Sequence, residues 1–132
     1  MKKQFLALSI TLLVLISFSC KKGSLNDKIT GTWEHVSSIG GLMPTAVSKG
    51  TTQLKLTENN YEFLHDGKII EQGSYKITDE KSWNGDPRII FDDKTEGTVK
   101  QYIKVSKKNL TIFVGASIAA DGVEHHYKKV KN

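Results

Sequence analysis

Tyr61-Glu62-Phe63-Leu64-His65-Asp66-Gly67-Lys68-Ile69-Ile70-Glu71-Gln72-Gly73-Ser74-Tyr75-Lys76-Ile77-Thr78 is the stretch that decides the fold. Its first arm puts Tyr61, Phe63 and His65 on one side and Glu62 and Leu64 on the other, the two-residue period of a strand. Asp66-Gly67 then sits where a two-residue hairpin turn needs positive φ, which Asp and Gly tolerate. The return arm, Lys68 to Thr78, is long enough to need a bend, and Gly73 is the residue expected to supply it.

Working outward, the same period recurs, and apolar residues at helical spacing are missing from Ile29 onward. Strands are expected over 31–39, 51–57, 61–65, 68–78, 88–92, 98–106, 110–114 and 123–130. Polar turns separate them, and 42–50, with Met43-Pro44 inside it, reads as a longer loop. Eight consecutive strands with short connections fit an all-β, antiparallel up-and-down barrel, with a two-sheet β-sandwich as the alternative.

Upstream, Lys2 and Lys3 precede an uncharged run from Phe5 to Ile16, and the chain's single cysteine, Cys20, follows Ser19. A basic start and a short apolar stretch read as a secretory signal, too short for a comfortable membrane span. The placement of Cys20 resembles the lipobox of bacterial lipoproteins, in a relaxed form that carries Ser17 three residues before the cysteine. That resemblance implies a helical signal peptide over 1–19, cleavage before Cys20, acylation of its sulfur and a membrane as partner. Residues 20–28 then read as a lipidated tether and 29–132 as the exported domain. One cysteine excludes an intrachain disulfide. The tether has no acidic run of the kind associated with surface export, so the location expected is the cell envelope, at the outer membrane and facing the periplasm.

Gly31-Thr32-Trp33 at the head of the first strand resembles the Gly-x-Trp motif that opens lipocalins. Asp66-Gly67-Lys68, Gly73-Ser74-Tyr75 and Leu110-Thr111-Ile112 are similar in style and spacing to the lipocalin-like lipoproteins of Bacteroidetes. The resemblance spans 29–130. It implies that Trp33 plugs a closed barrel end, a packing role. No amphipathic helix follows the last strand, so the interior expected is small or filled.

The 113 residues left after the signal are enough for one domain. Their formal charge falls from +5 to +3 as Lys2 and Lys3 leave, and lysines scattered without interleaved aromatics do not describe a nucleic-acid surface. The carboxylates fall mostly in turns, and no Gly-x-Ser-x-Gly elbow or glycine-rich phosphate loop occurs, so no catalysis and no cofactor are expected. Of the four histidines, His125 and His126 are adjacent and must face opposite sides of a strand, so His35, His65 and one of that pair are all that an interior could gather. Their spacing does not describe a metal site. Two functions stay open. In one, Leu42, Met43, Tyr61, Phe63, Tyr75 and Phe91 line a barrel mouth that holds a small apolar ligand. In the other, those residues fill the core and an outer face serves a structural or protein-interaction role in the envelope.

Overall fold

The computed structural model describes residues 24–40, 51–94, 99–117 and 120–131. A short helix, α1 (Leu25–Ile29), leads into β1 (Gly31–Gly40), β2 (Thr52–Leu56), β3 (Asn60–His65), β4 (Lys68–Lys81), β5 (Pro87–Phe91), β6 (Gln101–Val105), β7 (Asn109–Val114) and β8 (Val123–Lys129). Each strand pairs antiparallel with the next, and β8 returns to β1, so a single sheet closes into a barrel rather than splitting into a sandwich. Closure pairs every strand with a neighbour on both sides. Helix α1 crosses the boundary between the stretch read as tether, 20–28, and the domain read from Ile29. Its capping box explains the start, since Ser24 Oγ accepts from the Asp27 amide while the Asp27 carboxylate accepts from the Ser24 amide.

The two ends of the barrel differ. At one, Ile29 and Trp33 are fully buried, and the Trp33 indole N–H donates to the Ile29 carbonyl at 2.7 Å. Leu25 packs on the same cluster, so α1 and Trp33 together stopper that end. The β2–β3 and β6–β7 turns lie there as well, because alternate connections of an up-and-down barrel share an end. The β3–β4 hairpin lies at the other, with Asp66 and Gly67 both at positive φ, 48° and 76°, as its turn type requires. Asp66 Oδ1 also accepts from the Thr51 amide at 2.8 Å, tying the hairpin to the entry of β2.

The interior is filled toward the stoppered end by Leu54, Leu56, Tyr61, Tyr75, Ile103, Leu110, Ile112 and Tyr127. A second, smaller cluster lies outside the barrel wall. Tyr102 and Phe113 are opposite one another in the β6–β7 register, and Trp83 from the β4–β5 turn meets both rings edge-on at 6.0 Å. This is how Tyr102 and Phe113, on the solvent side of their strands, become buried.

The bend in β4 is not at Gly73. The ladder runs through Tyr61↔Gly73 unbroken, and the register shifts fall between Glu71 and Ile69, where Ile70 is the extra residue, and between Thr78 and Lys81. Gly73 serves another purpose: a Cβ there would stand 1.8 Å from Asp92 Oδ1 and 3.0 Å from the Tyr61 ring. The missing side chain makes room for a contact and does not turn the chain.

Candidate functional site

Inward positions follow from the register. Leu56, Tyr61 and Gly73 are opposite one another, as are Leu54, Phe63 and Glu71, while Tyr75 faces Phe91 and Ile77 faces Ile89 across β4 and β5. Strands β5 and β6 pair through only Arg88↔Tyr102 and Ile89↔Gln101 among the described residues, so their ladder is the shortest in the barrel. A pocket of about 180 Å³ opens beside this short ladder. Its wall includes four consecutive residues of β5, Arg88 to Phe91. All four can touch it because β5 pairs with β6 only at Arg88 and Ile89, which leaves the backbone edge of Ile90 and Phe91 open there. Tyr61, Phe63 and Phe91 supply aromatic wall, and Glu71, Arg88, Lys94 and Gln101 supply polar groups.

The three rings hold one another in place. Tyr61 meets Phe91 at 4.7 Å and Phe63 at 5.5 Å between centroids, both edge-on, a geometry favoured by the ring quadrupoles. The Tyr61 hydroxyl reaches two carboxylates, Asp92 Oδ2 at 2.7 Å and Glu71 Oε1 at 3.1 Å. A phenol has one proton to donate. Asp92 holds the shorter contact and is fixed further by the Ser74 amide, which donates to its Oδ1 at 3.1 Å. Glu71 is therefore the carboxylate with the longer contact to the phenol, and it stands at the pocket wall with an exposed, solvated side chain. Burial first, then the two carboxylates, push the Tyr61 hydroxyl far above the ordinary phenol range, so it stays protonated. The same hydrogen bond holds the Asp92 carboxyl below its usual range, with the Ser74 amide and Lys94 adding to the effect.

A second polar group lies between β1 and β8. Ser38 Oγ is 2.9 Å from His35 Nε2 and 2.7 Å from His125 Nδ1, and His35 packs edge-on against Tyr127 at 5.3 Å. One hydroxyl proton serves one ring at most, so at least one of the two rings donates its N–H to Ser38 Oγ. Burial lowers both imidazoles below the ordinary value, and for His125 the neighbouring His35 adds to this. His65 stands apart with Thr52, and His126 with Thr111 and Glu124. Among the described residues, no three His, Cys, Asp or Glu side chains gather in a way that would hold a metal ion.

Of the expected lining residues, Tyr61, Phe63 and Phe91 meet at the pocket. Tyr75 does not reach its wall: it is buried, and its hydroxyl donates to the Thr57 carbonyl at 2.6 Å, toward the stoppered end. Leu42, Met43 and Cys20 lie outside the described residues. Glu71, Arg88, Lys94 and Gln101 join Tyr61, Phe63 and Phe91 at the pocket although their positions in the sequence did not mark them. Glu71 was hidden by the extra residue at Ile70, which returns it to the inward face out of step with a plain alternation from the hairpin. Among the described residues no helix is long and apolar enough to cross a membrane. The chain matches no protein-family model, no curated protein and no solved structure.

Proposed function

We propose that this protein is a lipid-anchored, lipocalin-like binding protein of the bacterial cell envelope, holding a small amphipathic ligand in the pocket between Tyr61, Phe91 and Glu71. The observation that carries the reading is the two-to-one arrangement at Tyr61. One phenolic proton faces two carboxylates, and the one it serves less well, Glu71, borders a cavity with aromatic wall beside it. A ligand with an apolar body and a donor group, an amine above all, takes the place of water at Glu71 while covering the rings. The volume is below the roughly 300–1,000 Å³ of pockets for drug-sized molecules, so the ligand class is a small metabolite rather than a long-chain lipid. Polar lining from Gln101 and Lys94 narrows the earlier expectation of a purely apolar ligand. The anchor rests on Cys20 and the signal-like segment before it.

Growth with a clickable fatty acid tests the anchor: label on the wild-type chain and none on Cys20→Ala is the expected result. Solvent extraction of the mature protein purified from its own membranes, followed by mass spectrometry, tests the pocket. One small molecule per chain, lost from Glu71→Ala, supports the binding reading. An empty extract from wild-type protein favours a filled barrel acting through its outer face.

A further inference from the structure

The stoppered end of the barrel collects lysines from three distant parts of the chain. Lys28 comes from α1, Lys107 and Lys108 from the β6–β7 turn, and Lys128, Lys129 and Lys131 from the end of β8. The fold brings them together because the Lys129 amide donates to the Lys108 carbonyl at 2.9 Å and Asn109 is opposite Lys128 in the register. One surface groove is lined by Lys107, Lys108, Lys128, Lys129 and Lys131, and a second by Lys28, Lys107 and Lys129. Two shared lysines make the grooves one continuous basic face.

Only Lys129 is occupied within the fold, its ammonium donating to the Thr30 carbonyl at 3.2 Å and lying 5.1 Å from the Trp33 ring centre. The other five are exposed, and none joins an ion pair among the described residues. Asp27 in the α1 cap, Glu34 opposite Lys128 across β1 and β8, and Glu58 in the β2–β3 turn set three negative charges against these six lysines.

Chain length says what lies opposite this face. Cys20 precedes Ser24, the helix cap, by four residues, two of which are Lys21 and Lys22. Fully extended, four residues span at most about 14 Å. If Cys20 carries the acyl chains, the stoppered end is held within that distance of the headgroups, near the range over which lysines feel an anionic surface.

We propose that this lysine face docks on anionic phospholipid headgroups and holds the barrel upright, its stoppered end toward the bilayer and its pocket away from it. The inference rests on the lipid-anchor reading above. The acyl chains provide retention, and the lysines provide orientation.

The test uses the mature chain from residue 20 with Cys20→Ser, so that no acyl chain contributes, in co-sedimentation with vesicles of phosphatidylcholine alone or mixed with phosphatidylglycerol. Binding to the mixed vesicles only, weakened by salt, is expected. Lys107→Gln with Lys108→Gln should weaken it by about thirtyfold. Lys68→Gln with Lys100→Gln, an equal loss of charge at the hairpin and just before β6, both at the opposite end of the barrel, should change it less than about threefold. Equal binding to both vesicle types, or equal loss in both double variants, overturns the lysine face whatever the acyl labelling shows. Absent acyl label with intact vesicle binding overturns the anchor instead.

Discussion

Gly73 and Asp92 occupy one space: the position where a Cβ of Gly73 would sit is 1.8 Å from Asp92 Oδ1. The aspartate fills it from the turn after β5, where it adopts a positive φ of 53°, and from there it accepts hydrogen bonds from the Ser74 amide and the Tyr61 hydroxyl. Gly73→Ala is therefore expected to cost about 2–3 kcal/mol in urea unfolding, as overpacking against a fixed neighbour does. In an Asp92→Ala background most of that penalty should vanish, a coupling a double-mutant cycle measures directly.

The stopper at the other end makes a separate prediction. Trp33→Phe removes the indole N–H and leaves the buried Ile29 carbonyl without its donor, at a cost of roughly 1–3 kcal/mol. Trp33 is fully buried while Trp83 is 46% exposed. Tryptophan emission of the variant should accordingly shift to the red and become readily quenched by acrylamide, since only Trp83 remains.

How much of this was legible beforehand depends on what each residue's neighbours in sequence reveal. The eight strands could be read because apolar residues recur at a two-residue period, as Leu54 and Leu56 do in β2 and Leu110 and Ile112 in β7, and Asp66-Gly67 announced its turn chemically. Trp33 could be placed by its motif. The pocket could be read only in part. Tyr61, Phe63 and Phe91 advertise themselves as large rings, but Glu71 faces inward because of an extra residue in β4, which no local signal marks. Gly73 looked like a bend when it is a clearance, because its reason for being small lies at Asp92, nineteen positions on. The lysine face was invisible for the same reason: Lys107 and Lys128 become neighbours only when β7 and β8 pair.

Stability should also depend on pH through His35 and His125. Both imidazoles lie below the ordinary 6.5 when folded, chiefly through burial, with His126 a further like-charge influence and Tyr127 and Ser38 packed against the pair. As pH falls through 6.5 the unfolded chain takes up protons that the folded chain refuses, so stability is full above that value and declines below it. The thermal midpoint should drop between about pH 7.5 and pH 5.5, and His125→Gln should flatten the slope. Asp92 and Glu80, held below the carboxylate range by hydrogen bonds, titrate in a separate and more acidic window. A midpoint independent of pH over the histidine window would contradict the neutral, half-buried pair.

The central claim is that Glu71, Tyr61 and the rings beside them hold a small molecule. Native mass spectrometry of the mature protein, released from its own membranes without denaturant, addresses it most directly. The account predicts a single non-covalent adduct of metabolite size on the wild-type chain and its loss from a folded Glu71→Gln variant. A bare wild-type mass, or an adduct that Glu71→Gln retains in full, would contradict it.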